Sequence, residues 1–168
     1  MKLAFSTRYM PEMTLSGYLA LANEQKFSAV EIYDISNPCF DGEKASFKGA
    51  GVVSTKRKLL NTGIAISQID FPFDISDSEN YEENIKKAQN IIATASDVNV
   101  DFVKAYAGID SETAEKFINE ILPCAKEENV VILIETDGIR PGVSSAFCFA
   151  PFLFLIRLNA VSFPICTR

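Results

Sequence analysis

The stretch Val130-Val131-Ile132-Leu133-Ile134-Glu135-Thr136-Asp137-Gly138 decides the fold class of this chain. Five aliphatic residues in a row predict a strand that is buried on both faces, as strands of a parallel sheet are. The run ends directly in a carboxylate. Because ligands of parallel α/β sheets bind at the carboxyl ends of the strands, Glu135 is the first candidate for a functional residue.

Four earlier runs have the same character and recur at intervals close to the roughly 30-residue length of a βαβ unit. The predicted strands are Lys2–Ser6, Ala29–Tyr33, Ile64–Ile69, Phe102–Tyr106 and Val130–Ile134. A strand and a helix that alternate with short joints predict parallel strands joined by right-handed crossovers. The fold class predicted from the residues is therefore α/β, with about five parallel strands.

Helical spacing of apolar residues fills the intervals between these strands. The predicted helices carry Leu15, Tyr18, Leu19 and Ala22 behind an N-cap at Thr14, then Ser54–Asn61, then Tyr81, Ile85, Ala88, Ile92 and Ala95, and finally Phe117, Ile118, Ile121, Leu122 and Ala125. Gly63, Asn99 and Asn129 stand just before strands, where a helix commonly ends in the left-handed conformation. Lys26 holds the equivalent position before the second strand and departs from this pattern. Pro123 is expected to kink or shorten the last helix.

Composition excludes several classes of function. The 168 residues contain no histidine, so imidazole serves neither as base nor as metal ligand in this polypeptide. A net charge of −6 and a sequence pI near 4.7 argue against a nucleic-acid partner. The four cysteines show no CxxC spacing, which favours reduced thiols in a cytoplasmic protein over a zinc site or disulfides.

The segment after Ile139 differs from the rest of the chain. From Pro141 onward it contains no Asp, Glu or Lys, and five of the 13 phenylalanines fall within it. Its apolar run 146–156 is shorter than the roughly 20 residues of a membrane span, so no membrane-spanning segment is predicted. Three interpretations stay open: a membrane-touching or partner-binding segment, a native final helix and strand, or an end foreign to the fold. We favour the third, and divide the chain into residues 1–139 and an atypical apolar tail, 140–168.

A resemblance to a known family rests on several of these segments. Leu3-Ala4-Phe5-Ser6-Thr7, a helix, and then Phe27-Ser28-Ala29-Val30-Glu31-Ile32 resemble the opening of the xylose isomerase-like TIM-barrel superfamily. Phe102-Val103-Lys104-Ala105-Tyr106-Ala107-Gly108 is similar to its fourth strand, and Val131 to Thr136 to its fifth. The resemblance implies a partial (β/α) TIM barrel over residues 1–139. Two departures are Lys26 in place of the usual glycine and Asp137 where a histidine often follows the Glu-Thr pair.

The resemblance also implies a chemistry. Sugar or sugar phosphate isomerases and epimerases of this superfamily move a proton next to a carbonyl with the help of a divalent metal, Mn²⁺ or Mg²⁺. Glu135 matches the strand-five glutamate that ligates the metal and serves as catalytic base. The ligands from later strands are not found, so the resemblance implies a truncated protein that is inactive alone and binds metal weakly or not at all. The alternative is a small α/β domain that binds a ligand or partner without chemistry.

Three further residues at strand ends are candidates for contact with a small-molecule sugar or sugar phosphate. Glu31 is either a substrate contact or a salt-bridged structural acid. Lys104 is either a catalytic or phosphate-binding lysine or one whose ammonium extends to solvent. Asp70 is either a polar contact or the N-cap of a turn. The open strand edges of an incomplete barrel also predict self-association.

Overall fold

The computed structural model describes residues 3–41, 46–108, 110–136 and 154–155. Five parallel strands lie in one open sheet in the order of the sequence. They are β1 (Ala4–Ser6), β2 (Ala29–Ile32), β3 (Ala65–Asp74), β4 (Phe102–Ala107) and β5 (Val131–Thr136). All five strands predicted from the sequence are confirmed, and most of their ends differ by only one or two residues.

Helices occupy the connections between the strands. They are α1 (Leu15–Glu24), the short α2 (Pro38–Asp41), α3 (Ala50–Thr62), α4 (Tyr81–Asp97) and α5 (Ser111–Glu127), and a 3-10 turn covers Thr7–Tyr9. Each strand pairs with the next one in the sequence, and such parallel connections are right-handed. The connecting helices therefore lie on the same side of the sheet. One face of the sheet is therefore covered by helices, and we call the other the concave face.

Local signals set the helix ends as the sequence indicated. The Thr14 hydroxyl accepts a hydrogen bond from the Gly17 amide, 3.2 Å away, and caps α1. Gly63 follows α3 in the left-handed region at φ 68°, and Asn99 and Asn129 have φ values of 60° and 56°. Lys26 also lies there, at φ 59°, so the position before β2 has the left-handed backbone although its residue type does not favour it.

The hydrophobic core lies between the sheet and its helices. Val103 and Ala105 of β4 and Ile132 of β5 are almost fully buried beneath Ile92 of α4 and Phe117 of α5. These helix residues belong to the predicted apolar stripes, so the periodicity identified the buried faces. Helix α5 continues through Pro123 to Glu127, and the predicted shortening at that proline does not occur.

The outer edge of β5 is partly covered. Strand β6 (Phe154–Leu155) pairs antiparallel with β5, opposite Ile134 and Leu133. It is the part of the predicted tail 140–168 that the structure describes, and the rest of that tail, with the boundary at residue 139, lies outside the described residues. Within the described ranges, no helix is long and apolar enough to cross a bilayer.

Candidate functional site on the concave face

Alternation along each strand sorts the side chains between the two faces of the sheet. In β4, Val103 and Ala105 are fully buried towards the helices, so Lys104 between them points to the concave face. Its partners there come from neighbouring strands: Glu31 of β2, Asp70 of β3 and Glu135 of β5. The four candidate residues, chosen from four separate segments of sequence, thus meet at one place.

These four residues form what we call the ion cluster. The Lys104 Nζ lies 2.9 Å from Asp70 Oδ2, 3.3 Å from Glu31 Oε1 and 3.5 Å from Glu135 Oε2. Three carboxylates surround one ammonium, so the cluster keeps a negative excess when all its groups are ionised. Such an excess favours the binding of a cation, a proton or a hydrogen-bond donor of a ligand.

Gln68 completes the cluster and was not identified as a site residue from the sequence. Its Nε2 donates to Glu31 Oε2 at 3.2 Å and to Asp70 Oδ1 at 3.1 Å, so it fixes two of the carboxylates from the side opposite the ammonium. A signal was present in the segment Gln68-Ile69-Asp70, because polar residues two apart on a strand share a face. The alternation therefore assigned Gln68 to the same face as Asp70.

Burial within the cluster is graded from floor to rim. The Asp70 side chain is 5% exposed, those of Lys104 and Glu31 are 18% and 23% exposed, and that of Glu135 is 56% exposed. Asp70 lies inside β3, which continues to Asp74, so the turn N-cap considered for it is excluded. Lys104 is paired within the cluster and does not extend into solvent. Glu135 is the carboxylate that a ligand reaches most easily.

Burial and charge shift two pKa values in this cluster. Desolvation raises the pKa of Asp70 to about 7, against the opposing hydrogen bond from Lys104 and with the help of the nearby charge of Glu31. For Lys104, burial disfavours the ammonium, but the hydrogen bond to Asp70 and the charges of Asp70, Glu31 and Glu135 together raise its pKa. Near neutral pH the lysine is therefore charged, while Asp70 is only partly ionised.

The edge of the site is held by two loops that follow β3 and β4. Asp74 Oδ1 accepts hydrogen bonds from the Gly108 amide at 2.9 Å and from the Ser76 amide at 2.8 Å. A Cβ at Gly108 would overlap Asp74 Oδ2, so this close approach requires glycine. These contacts join the carboxyl ends of β3 and β4, the strands that carry Asp70 and Lys104.

A second contact joins the ends of β1 and β2. The Tyr33 amide donates to the buried Thr7 Oγ1 at 3.0 Å, and the Arg8 guanidinium lies 4.9 Å from the centroid of the Tyr33 ring. A cation over an aromatic ring stabilises such a contact. The strand ends around the ion cluster are thus tied in pairs, which limits the movement of the side chains that they carry.

The described residues do not by themselves fit a divalent metal ion. Within the described ranges, no group of three or more acidic or cysteine side chains is arranged to hold one. In addition, the Lys104 ammonium lies among the three carboxylates of the cluster. Glu135, with its exposed carboxylate, is one suitable oxygen ligand, whereas Mg²⁺ prefers about six oxygens.

No protein-family model and no curated protein matches this sequence. Solved structures do match. A xylose isomerase domain protein from Planctomyces limnophilus aligns with a TM-score of 0.64 at 13% identity, over 82% of this chain and 55% of its own. The 3-keto-D-glucoside 4-epimerase YcjR from E. coli aligns with a TM-score of 0.64 at 14% identity, over 80% and 56%. The IolI protein, described with a binding zinc atom, aligns with a TM-score of 0.63 at 19% identity, over 82% and 52%.

These matches confirm the resemblance found in the sequence at the level of fold. The sheet order and the parallel pairing agree with part of a barrel of this type. This chain has the fold of the xylose isomerase-like TIM barrels and spans about half the length of the solved structures that it matches.

Proposed function

We propose that this chain is the amino-terminal part of a sugar or sugar phosphate isomerase or epimerase. The observation that carries the proposal is the meeting of Glu31, Asp70, Lys104 and Glu135 from four neighbouring strands on the concave face. A structural neighbour named as an epimerase supports the class of reaction. The proposed substrate is a small polyhydroxylated molecule with a carbonyl group.

The cluster offers the groups that proton transfer next to a carbonyl needs. A carboxylate must remove the proton, and a positive or hydrogen-bonding group must stabilise the oxygen that gains negative charge. Glu135 is exposed enough to reach a substrate carbon, and we assign it the role of base. We assign Lys104 the role of stabilising the substrate oxygen that gains negative charge. Glu31 and Asp70 accept hydrogen bonds from sugar hydroxyls.

We further propose that full-length relatives use a divalent metal, Mn²⁺ or Mg²⁺, for part of this task. One structural neighbour is described with a bound zinc, which supports metal binding in proteins of this fold. In this chain Glu135 is the proposed metal ligand. Because the described residues supply a single exposed carboxylate there and the sequence supplies no histidine, we expect weak metal binding and no sugar turnover by the 168 residues alone.

A second candidate function is a small α/β domain that binds a ligand or partner without chemistry. The observation in its favour is that Lys104 already pairs with three acids, so the cluster can act as a structural ion network. The two candidates differ in what they require of Glu135. A structural network tolerates a neutral amide at this exposed position, whereas a proton-transfer site does not.

We also propose that the protein is cytoplasmic and that it self-associates. Among the described residues, strand β1 pairs only with β2, so its other edge is available to pair with other chains. Light scattering that shows a mass increasing with concentration would support self-association. A monomer at all concentrations that melts cooperatively would oppose it.

The experiment that tests the proposed function is a calorimetric titration with Mn²⁺ of the native chain and of Glu135→Gln. The substitution is expected to abolish the weak binding of the native chain, because it removes the exposed carboxylate. Glu115→Gln, an exposed acid on the helix-covered side, is the matched control and should change nothing. Binding that survives Glu135→Gln would place the metal elsewhere and remove the support for this assignment.

Turnover is measured in parallel by exchange of substrate protons in deuterated water, with a set of ketoses, aldoses and their phosphates. The expected result for the 168-residue chain is no exchange with any of them. Exchange by the native chain that is lost in Glu135→Gln would confirm the assignment of the base but contradict the proposed inactivity. Exchange that persists in Glu135→Gln would show that another residue removes the proton.

A further inference from the structure

We infer that Lys104 is the built-in cation of this site: its ammonium fills the space between Glu31, Asp70 and Glu135 and closes that space to divalent metal ions. The inference goes beyond the proposed function, because it concerns the ion cluster alone and stands whether or not the ligand is a sugar. It implies that removal of the lysine charge converts the cluster into a metal site.

Lys104 lies on β4, and its three acidic partners lie on β2, β3 and β5, so they approach the ammonium from both sides of its strand. The distances of 2.9, 3.3 and 3.5 Å place the nitrogen at the centre of the three carboxylates. Carboxylate oxygens are the ligands that a hard divalent cation prefers. In this cluster the centre of the three carboxylates is occupied by a group of the protein itself.

Gln68 helps to keep two of the carboxylates in place. Its amide donates to both Glu31 and Asp70, so these two acids are held by a contact that does not involve Lys104. Loss of the lysine would therefore leave them converging on the same point. Within the part of the chain that the structure describes, every buried side-chain nitrogen and oxygen has a hydrogen-bond partner, so the network is complete as it stands.

Electrostatic repulsion also opposes the entry of a metal ion into this cluster. A divalent ion that entered the native cluster would lie within a few ångströms of the lysine ammonium and would compete with it for the same oxygens. Like charges at that distance in a partly buried site repel strongly. Glu135, which is the most exposed of the three acids and the furthest from the ammonium, stays available to a weakly held ion at the rim.

The exclusion of metal ions determines which positive group a ligand meets in the cluster. With metal excluded from the floor, the positive group that a ligand oxygen meets there is the ammonium, whose side chain is 18% exposed. Asp70 and Glu31 are its closer partners, and the contact with Glu135 is the longest of the three, so a ligand oxygen that binds the ammonium would displace Glu135. Lys104 therefore takes the place of a bound divalent cation towards a carbonyl or hydroxyl oxygen.

The test is calorimetric titration with Mn²⁺ of the native chain, Lys104→Met and Lys104→Arg. Lys104→Met keeps the aliphatic stem but removes the charge, and it should bind Mn²⁺ about tenfold or more tightly than the native chain, because three converging carboxylates are then free. Lys104→Arg keeps the positive charge and should bind like the native chain. The double substitution Lys104→Met with Asp70→Asn should lose the gain, since it removes one of the three ligands.

Affinity of Lys104→Met no higher than that of the native chain would overturn the inference. If Lys104→Met folds only in the presence of Mn²⁺, and not of Na⁺ at equal ionic strength, the inference is supported by that requirement. A measurement on conservative variants remains decisive if Lys104→Met does not fold at all. Glu31→Gln and Asp70→Asn should then change Mn²⁺ affinity by less than about threefold, because these acids contact the lysine and not the metal.

A loss of tenfold or so in either of those two variants would show that metal already enters the native cluster, and would overturn the inference. Failure of this inference is distinct from failure of the proposed function, which depends on Glu135→Gln and on proton exchange. Tighter Mn²⁺ binding by Lys104→Met, together with Mn²⁺ binding by the native chain that survives Glu135→Gln, would support the inference and contradict the proposed function.

Discussion

The two faces of the sheet are built in different ways. On the helix-covered face of β4, Val103 and Ala105 are fully buried in apolar surroundings. On the concave face, one residue away, Lys104 pairs with acids from three other strands. The same backbone thus carries close packing on one side and a set of paired charges on the other.

This difference shows where stability and chemistry reside in the molecule. Apolar burial is non-directional and scales with area, so the helix-covered face stabilises the fold without demanding particular residues. Paired charges in a partly buried place contribute little net stability, because desolvation opposes their attraction. We therefore expect substitutions on the helix-covered face to change stability most, and those on the concave face to change pH dependence and binding.

The largest effect is expected for Phe117→Ala. Phe117 is fully buried and contacts the rings of Tyr81 and Phe73, at centroid distances of 5.7 and 6.2 Å. Its truncation should lower the free energy of unfolding by about 3–5 kcal/mol, measured by urea denaturation. Phe102→Ala is the comparison, because this half-buried residue shares the concave face with Lys104 by strand alternation. Its truncation should lower the free energy of unfolding by clearly less. Equal losses would show that the concave face is packed as closely as the other.

A smaller effect, at most about 4 kcal/mol, is expected from the titration of Asp70. The pKa of this buried carboxyl is raised to about 7 from 3.8, so the folded state binds the proton more tightly than the unfolded state does. Its contribution to stability is present below about pH 4 and is lost as pH rises through about 7. The free energy of unfolding of the native chain, relative to Asp70→Asn, should therefore fall between pH 4 and 7.

Asp77 provides a control of opposite sign. A side-chain hydrogen bond from Asn80 lowers its pKa, so the stability that it contributes is lost as pH falls. The free energy of unfolding of the native chain, relative to Asp77→Asn, should thus fall on acidification. Relative to Asp70→Asn it should rise. If the difference in the free energy of unfolding between the native chain and Asp70→Asn stayed constant from pH 4 to 7, Asp70 would not be desolvated.

The edge of the site should respond to Gly108→Ala. The added Cβ overlaps Asp74 Oδ2 and displaces the hydrogen bond from the Gly108 amide to Asp74 Oδ1. A loss of about 1–3 kcal/mol in unfolding free energy is expected, since a partly buried hydrogen bond is broken. Gly17→Ala is the control, because the added Cβ there meets the flexible side chain of Met13. If Gly108→Ala were as stable as the native chain, Asp74 would not hold the two loops together.

The smallest expected effect is a gain in stability. Lys26 has a left-handed backbone at φ 59°, which side chains with a Cβ disfavour, so Lys26→Gly should stabilise the chain by about 0.5–1 kcal/mol in thermal or urea unfolding. Asn99→Gly, at φ 60°, should gain less because asparagine tolerates this conformation. Lys26 precedes β2 at the amino end of the sheet, so the Mn²⁺ affinity should not change. A loss of stability in Lys26→Gly would contradict a left-handed backbone at this position.

Much of the fold follows from the sequence because its signals are local. The apolar run at Val130 and the stripes around Ile92 and Phe117 each identify an element and its buried side. The continuation of β3 through Phe71-Pro72-Phe73 to Asp74 was missed, since a proline within a run usually ends a strand. The short helix α2 was missed as well, because four residues carry no periodicity.

The candidate site is less local, and sequence predicts it less completely. Strand ends identified Glu31, Asp70, Lys104 and Glu135 individually, but which of them pair is decided by register. Between β2 and β3 the register shifts at Val30 and Glu31, and this irregularity places Gln68 opposite Glu31. No residue pattern in either strand announces that shift, so the role of Gln68 became visible only in the folded chain.

The claim that side chains of separate strands meet at Lys104 is tested most directly by a double-mutant cycle on Lys104 and Asp70. The free energy of unfolding is measured for the native chain, Lys104→Met, Asp70→Asn and the double variant, at pH 8 where Asp70 is ionised. Because the two groups are 2.9 Å apart and partly buried, we expect each single substitution to be harmful and the double one to be less so than their sum. A coupling energy of about 1–3 kcal/mol is the predicted result, whereas purely additive effects would show that the two side chains do not meet.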